Sequence, residues 1–470
     1  MPQVSKQAAA RGKTGPSIKK VLVANRGEIA IRVMRTCREL GLKTVAVYSE
    51  ADRESRHVAM ADRAVCIGPG PSKLSYLDQD AVLTAAKMTG ADAIHPGYGF
   101  LSENADFAEA VAKAGLVFIG PPPEASRRLG FKSAGKAVAA AADVPCVPGT
   151  KGDITSVDPK EIAAIGYPVL IKASAGGGGK GMRVVREPGE LQQQLEYAST
   201  EAKAAFGDGS VFIEKLLERP RHVEIQIAAD THGNVVAFPE RDCTVQRRHQ
   251  KLIEESPSPA LTPEVRREMQ QAAIRLAKAA GYQNVGTVEF LYQDGKFYFI
   301  EVNARLQVEH PVTEAVAGVD LMELMIRVAA GERLPFGQDR ASEIRCHAIE
   351  HRINAEDPDN GFMPCPGKIE RLELPGGAGV RVDTHAYEGY TIPSYYDSMI
   401  AKLIISAGDR PAALRRSLRA LGELEVGGVK TTASMHARVV AHPVFQGGDF
   451  DTHFIEKTGL LDEKRKAPRP

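Results

Sequence analysis

Five polar residues occupy alternate positions between Glu301 and Glu309: Glu301, Asn303, Arg305, Gln307 and Glu309, with Val302, Ala304, Leu306 and Val308 between them. Period-two alternation predicts that the five share one face of an extended segment. Glu289 joins that face if the loop Gln293-Asp294-Gly295 closes a hairpin with its glycine left-handed, which makes Glu289 and Glu301 diagonal neighbours. Two carboxylates and an amide oxygen within reach of one another suit Mg²⁺, a hard cation that takes oxygen ligands and shares its shell with phosphates and water. A merely solvated face would carry interchangeable Lys, Glu, Ser and Thr, whereas this one combines three oxygen donors, a guanidinium and a further acid.

A second signal is the run KASAGGGGKGM, with Lys172, the glycines Gly176–Gly179, Lys180 and Gly181. Successive glycines let backbone N–H groups turn toward an anion with no Cβ in the way. The run fits neither the P-loop pattern nor the dinucleotide-binding G-x-G-x-x-G. A turn between two strands is the alternative the run alone leaves open. Third, RDCTVQRRHQK crowds Arg241, Arg247, Arg248, His249 and Lys251 into one short stretch around Gln246. Such charges repel one another unless a small anion, phosphate or bicarbonate, lies among them; the exposed aromatics and wider basic excess of a nucleic-acid surface are missing.

Positioning these groups requires several elements. From Lys19 a short apolar run, a loop at Gly27, a helical pattern over Glu28–Leu40 and a second apolar run make a βαβ unit. Strand-like runs recur at Ala64–Ile67, Ala93–His95 and Val117–Ile119, so residues 18 to about 130 predict an open parallel sheet with helices on both faces. Its ligand-side loops would be Asn25–Gly27 and His95–Asn104. Runs at Pro168–Ala173, Met182–Arg186, Val211–Glu214 and His222–Ala228 around the glycines predict an antiparallel lid plus a mixed sheet. A helix over Pro263–Ala280, a hairpin at Asp294-Gly295, a helix near Leu321–Ala330 and a tail of short strands and turns follow.

The chain has 470 residues, enough for two to four packed units, and a formal charge of +1, which offers no global attraction to nucleic acid or membrane. Its six cysteines are scattered with no C-x-x-C pair, which excludes a disulfide framework and points to a reduced, cytoplasmic setting. No window approaches the ~18 apolar residues of a membrane span. The basic stretch before Glu28 reads as a solvated tail, with an organellar presequence as the alternative.

The stretches ANRGEIA, IHPGYGFLSEN, YPVLIKASAGGGGKGM, RHVEIQ, ERDCTVQRRHQK, NARLQVEHPVTE, HRINAEDP and YYDSMIAKL resemble biotin carboxylase, the ATP-grasp component of biotin-dependent carboxylases, from about Ile18 to Leu461. The resemblance implies an α/β and α+β fold: an N-terminal open parallel (Rossmann-like) sheet at 18–131, a central ATP-grasp unit at 132–342 with a mobile lid at about 147–216, and a C-terminal mixed β domain at 343–461, between tails at 1–17 and 462–470. It further implies ATP-driven carboxylation of biotin by bicarbonate, with Mg²⁺ or Mn²⁺ as cofactor. Biotin would arrive on a separate carrier protein, because neither a lysine between two methionines nor a carboxyltransferase half is found in the sequence. A carboxyltransferase subunit, as in the acyl-CoA carboxylases of fatty acid biosynthesis, and a homodimer are the other partners implied.

Carried over by motif, Lys132 and Lys172 would contact ATP phosphates beneath Gly177, Gly178 and Gly179. Glu214, Lys215, Leu217, His222, Gln246, His249 and Leu291 would surround the nucleotide. Glu289, Glu301 and Asn303 match metal positions. Lys251, Arg305, Gln307 and the Val308 backbone would hold bicarbonate; Glu309 would be the base and Arg352 the stabiliser of a biotin enolate, an ion pair with Glu350 or Asp357 being the alternative for Arg352. One departure stands out: Phe131 precedes Lys132 where the family usually has an acid. Altered ATP affinity or slower turnover is expected, and steady-state kinetics indistinguishable from those of Phe131→Asp would remove that expectation. Another ATP-grasp carboxylate ligase would not need RLQVEH, and an inactive nucleotide-binding regulatory homologue would not keep a competent residue at every one of these positions.

Overall fold

The computed structural model describes residues 15–130, 132–150, 159–174 and 182–461. Both predicted tails, apart from 15–17, and the glycines Gly177, Gly178 and Gly179 lie outside them, as does Phe131. Five parallel strands come first: β1 (Lys20–Val23), β2 (Lys43–Tyr48), β3 (Arg63–Cys66), β4 (Ala93–His95) and β5 (Val117–Phe118), in the order β3-β2-β1-β4-β5. Alternation along β1 sends Val21 and Val23 into one core and Leu22 into the other, so both faces are covered and the strand reads as one apolar run. The strand order reverses between β1 and β4, which opens a crevice at their C-terminal ends. There the two loops singled out in the sequence meet: Asn25 Nδ2 donates to the carbonyls of Pro96 (2.8 Å) and Tyr98 (2.7 Å).

A three-stranded antiparallel sheet follows, β6 (Val169–Ala173) between β7 (Arg183–Val185) and β8 (Val211–Lys215). With the helix Leu191–Phe206 it buries its own core of Ile162, Val169, Ile171, Val185, Leu195 and Ile213, set apart from the larger cores. A unit with a private core can move as a body against the rest.

The remaining large sheet is built from β9 (Arg221–Ala229), β10 (Val235–Ala237), β11 (Arg241–Arg247), β12 (Gln250–Ser256), β13 (Asn284–Gln293) and β14 (Lys296–Asn303), joined by β15 (His347–Asn354) from the C-terminal part. After the short strands β16 (Glu356–Asp357), β17 (Met363–Pro364) and β18 (Arg371–Glu373), the chain adds β19 (Val380–Thr384) and β20 (Met399–Ala407) to its far edge. Every ladder between its named strands is antiparallel, one parallel bridge joins Cys146 to Phe299 at the β14 edge, and through β12 and β15 the sheet runs unbroken from the central segment into the C-terminal one. The predicted helix Pro263–Ala280 lies against it, capped by Thr262 and ended by the left-handed Gly281.

Two predicted details are corrected. The hairpin closes through the two residues Asp294 and Gly295, both left-handed (φ 51° and 78°), with Gln293 paired to Lys296. Ile300 then bulges out of the ladder, which sets Glu289 directly opposite Glu301 instead of on its diagonal. The extended segment also stops at Asn303; Arg305 lies in a bend, and Glu309 is the residue before the helix His310–Ala317.

No helix among the described residues is long and apolar enough to cross a membrane. His57 is wholly buried and bonded to Ser55 Oγ, and burial pushes its pKa from 6.5 down to about 4. A depressed histidine contributes stability above its unfolded pKa and loses it as pH falls toward the folded one. The stability advantage over a His57→Gln variant should therefore shrink by about 1.4 kcal/mol per pH unit below 6.5. Urea denaturation at pH 7 and pH 5 checks this; a constant difference would contradict it.

Candidate active site

The row Arg241, Glu224, Glu289 and Glu301 crosses four adjacent strands, because β11 pairs with β9, β9 with β13 and β13 with β14 in that register. Like charges directly opposite one another are unfavourable unless cations lie among them. Lys251, from β12, supplies one: its Nζ lies 2.6 Å from Glu224, 3.0 Å from Glu289 and 2.7 Å from Glu309. His222 adds a contact to Glu289 at 2.8 Å. Burial works against the charge on Glu289, but Lys251 and His222 overcome it and hold that carboxyl well below the usual range.

Arg241 corrects the picture of a crowded basic cluster. It is fully buried, with Nε donating to Glu224 (2.5 Å), Nη1 to Gln226 (2.6 Å) and Thr313 (3.0 Å), and Nη2 to Thr287 (3.0 Å). Arg247 stacks on Phe362 with its guanidinium 4.3 Å from the ring centre. Arg248 and His249 form the exposed, left-handed turn between β11 and β12. Strand alternation and the hairpin disperse the charges, so no anion is needed to reconcile them. Removing the guanidinium with Arg241→Met leaves Glu224 short of a buried partner, and a loss of about 3–5 kcal/mol in urea unfolding is expected. A loss under about 1 kcal/mol would contradict the pairing described for Arg241.

Glu309 has no exposed surface; its Oε1 faces Lys251 and its Oε2 accepts from Arg352 Nη2 at 2.8 Å. Burial favours its neutral form, yet Lys251, Arg352 and Arg241 outweigh burial and keep it ionised. Arg352, on β15, is clamped on its other side by Glu254, whose carboxyl burial pushes up to about 7. Glu350, one of the alternative partners expected for Arg352, acts on it only through its charge: neither of its carboxyl oxygens is hydrogen-bonded. Arg305 donates to Gln307 Oε1 (3.0 Å) and Asn303 Oδ1 (3.2 Å), and pairs with Glu103 at 3.0 Å. Asn303 Nδ2 donates to Glu289 Oε1 at 2.8 Å.

Glu289, Glu301 and Asn303 thus stand together on adjoining positions of β13 and β14. Two carboxylates and an amide are hard donors that fit Mg²⁺ or Mn²⁺, provided the Asn303 amide presents its oxygen, and amide orientation is set by the surrounding hydrogen bonds. On the lid side, Lys172 reaches Glu214 at 2.6 Å, and Lys136 reaches the same carboxylate. Lys215 spends its ammonium on the carbonyls of Gly166 (3.1 Å) and Tyr167 (2.8 Å), inside the lid. Leu217 and Leu291 are half-buried, Leu291 opposite His222, and Gln246 is buried opposite Lys251, while His249 lies on the exposed turn between β11 and β12. The side chain of Lys132 lies outside the described residues.

Sequence reasoning passed over Glu224, Glu254 and Lys136. Lys136 stands four residues after Lys132 on one helix, a spacing that signals a shared face. Glu224 stood inside the stretch RHVEIQ, but only its strand neighbours reveal its place.

Family models match nearly the whole chain: biotin carboxylase, N-terminal domain, at residues 17–126; carbamoyl-phosphate synthase L chain, ATP binding domain, at 132–336; and biotin carboxylase C-terminal domain at 350–457. Biotin carboxylase of Haemophilus influenzae is 53% identical over 449 residues, covering 95% of this chain and 100% of that protein. A pyruvate carboxylase subunit of Methanothermobacter thermautotrophicus is 53% identical over 454 residues, covering 95% and 92%. The structure of the Campylobacter jejuni biotin carboxylase β-γ-ATP complex superposes with a TM-score of 0.90 at 47% identity, over 94% of this chain and 99% of that one. The biotin carboxylase domain dimer of Hydrogenobacter thermophilus 2-oxoglutarate carboxylase, in complex with MgADP, ADP and bicarbonate, gives 0.89 at 47% identity, over 96% and 99%.

Proposed function

The chain belongs to the biotin carboxylase family, and on that premise we propose that it carboxylates biotin, borne on a separate carrier protein, at the expense of ATP and bicarbonate. The observation that carries the assignment of roles is the double contact of Glu309, with Lys251 on one oxygen and Arg352 on the other. Bicarbonate is a weak nucleophile and the γ-phosphoryl group is ringed by negative oxygens, so catalysis rests on positioning and charge neutralisation. Mg²⁺ held by Glu289, Glu301 and Asn303 supplies part of that neutralisation when bound.

Lys172 leaves Glu214 to meet the nucleotide phosphates as the lid closes, and Lys132 joins it. Arg305, Gln307, the Val308 backbone and Lys251 hold bicarbonate. Once Lys251 turns from Glu309 to the entering anion, Glu309 regains basicity and takes the bicarbonate proton as a bicarbonate oxygen attacks the γ-phosphorus and ADP leaves. The product, carboxyphosphate, breaks into CO₂ and phosphate inside a site shielded from water. Phosphate removes the ureido N–H proton of biotin, Arg352 stabilises the oxyanion so formed, and the nitrogen adds to CO₂.

The macromolecular partners are the carrier and a carboxyltransferase subunit, in keeping with relatives that are subunits of larger carboxylases. A homodimer is proposed from the dimeric Hydrogenobacter thermophilus domain. A cytoplasmic setting is proposed from six cysteines that are all free thiols. ADP release from the purified chain with MgATP tests the reading: it should require bicarbonate and rise on adding free biotin. Release indifferent to both would assign the site to a different ATP-grasp ligation.

A further inference from the structure

The bicarbonate segment is held from behind by two residues that belong to neither the carboxylate cluster nor the nucleotide side. Lys402, on β20, has no exposed surface; its Nζ donates to the Val308 carbonyl at 2.9 Å and pairs with Glu28 at 3.2 Å. His310 is equally buried, and its Nδ1 lies 2.8 Å from the Gln307 carbonyl. A carbonyl oxygen only accepts, so Nδ1 carries the proton. Two consecutive carbonyls are thereby drawn to the inner side of the segment by two buried donors. In a trans peptide the N–H points opposite to the C=O, so the amides of Val308 and Glu309 face the other way.

We propose that Lys402 and His310 are positioning residues that aim the Val308 and Glu309 backbone N–H groups at bicarbonate. The proposal rests on the reading that this segment binds that anion. Two successive N–H groups on one side form an anion-binding concavity, and a concavity fixed in advance costs no reorganisation when the anion arrives. Lys402 also places the device in the wider frame. Glu28 accepts from the Tyr98 hydroxyl, so one ammonium ties the anion segment to the β1 and β4 loops, from the strand position opposite Arg352. A buried ammonium is costly unless it is paired and bonded in this way.

The test is the KM for bicarbonate in steady-state ADP release, with the KM for ATP read beside it and thermal melting as the check on folding. His310→Leu removes the imidazole donor and leaves only the longer bond from the His310 backbone N–H (3.4 Å) on that carbonyl, and His310→Asn puts an amide N–H where Nδ1 was. Lys402→Met is made together with Glu28→Gln, so that Glu28, the acid paired with Lys402, is not left buried without its cation. His310→Leu and the double variant should each raise the bicarbonate KM about tenfold or more with the ATP KM within about twofold, and His310→Asn should restore it. If the double variant does not fold, the His310 pair decides the matter alone. An unchanged bicarbonate KM in folded His310→Leu, beside a raised one in Arg305→Ala, overturns the positioning role and leaves the bicarbonate reading standing. Arg305→Ala that also leaves it unchanged removes both.

Discussion

Glu309→Gln is expected to lower bicarbonate-dependent ATP cleavage by about 10²–10⁴-fold, the range for removing a positioned general base. Glutamine keeps the size of the side chain and one acceptor oxygen, so the pocket behind the anion stays filled. It cannot take a proton, and it no longer balances Lys251 and Arg352, which meet Glu309 at 2.7 and 2.8 Å. Nothing described for ATP depends on this residue, so the KM for ATP should move by less than about threefold. Steady-state ADP release against bicarbonate concentration checks both, and a variant within about tenfold of the parent would remove Glu309 from the role of base.

Arg352→Met is expected to lower biotin carboxylation by about 10²–10³-fold, the usual cost of losing one donor aimed at a developing oxyanion. Biotin-independent ADP release should fall much less, because bicarbonate activation precedes the step that needs Arg352. Methionine keeps the length of the stem. The cost to folding is moderated at Glu254: its carboxyl, already raised to about 7 by burial, takes a proton once its cation is gone. Equal losses in the two rates would place Arg352 in bicarbonate activation instead. Thermal melting separates either outcome from simple unfolding.

The parts of this site legible in the sequence are those in which neighbours in sequence remain neighbours in space. The Asp294-Gly295 turn and the polar alternation through Glu301 and Asn303 could be read directly, since a strand converts period two into a face. The alternation failed beyond Asn303, where a bend and a helix start deliver Glu309 by a route that no strand period describes. The basic run misled for the opposite reason: sequence proximity suggested repulsion, but a hairpin sends Arg241 into the core and Arg248 to the tip. Glu224, Glu254 and Lys402 stayed unassigned because their meaning lies in partners from distant strands. An acid in a strand is unremarkable until Arg241 and Lys251 are found on either side of it. The open parallel sheet could be predicted from its repeated apolar runs, whereas the single sheet running through β12 and β15 is a long-range pairing that local pattern does not encode.

The most direct measurement is the transfer of carbon from labelled bicarbonate to free biotin by the purified chain with MgATP. Acid-labile label in biotin, formed in step with ADP and lost in Glu309→Gln, is the result expected. ADP formation with no label in biotin, or label that survives Glu309→Gln, would contradict the account.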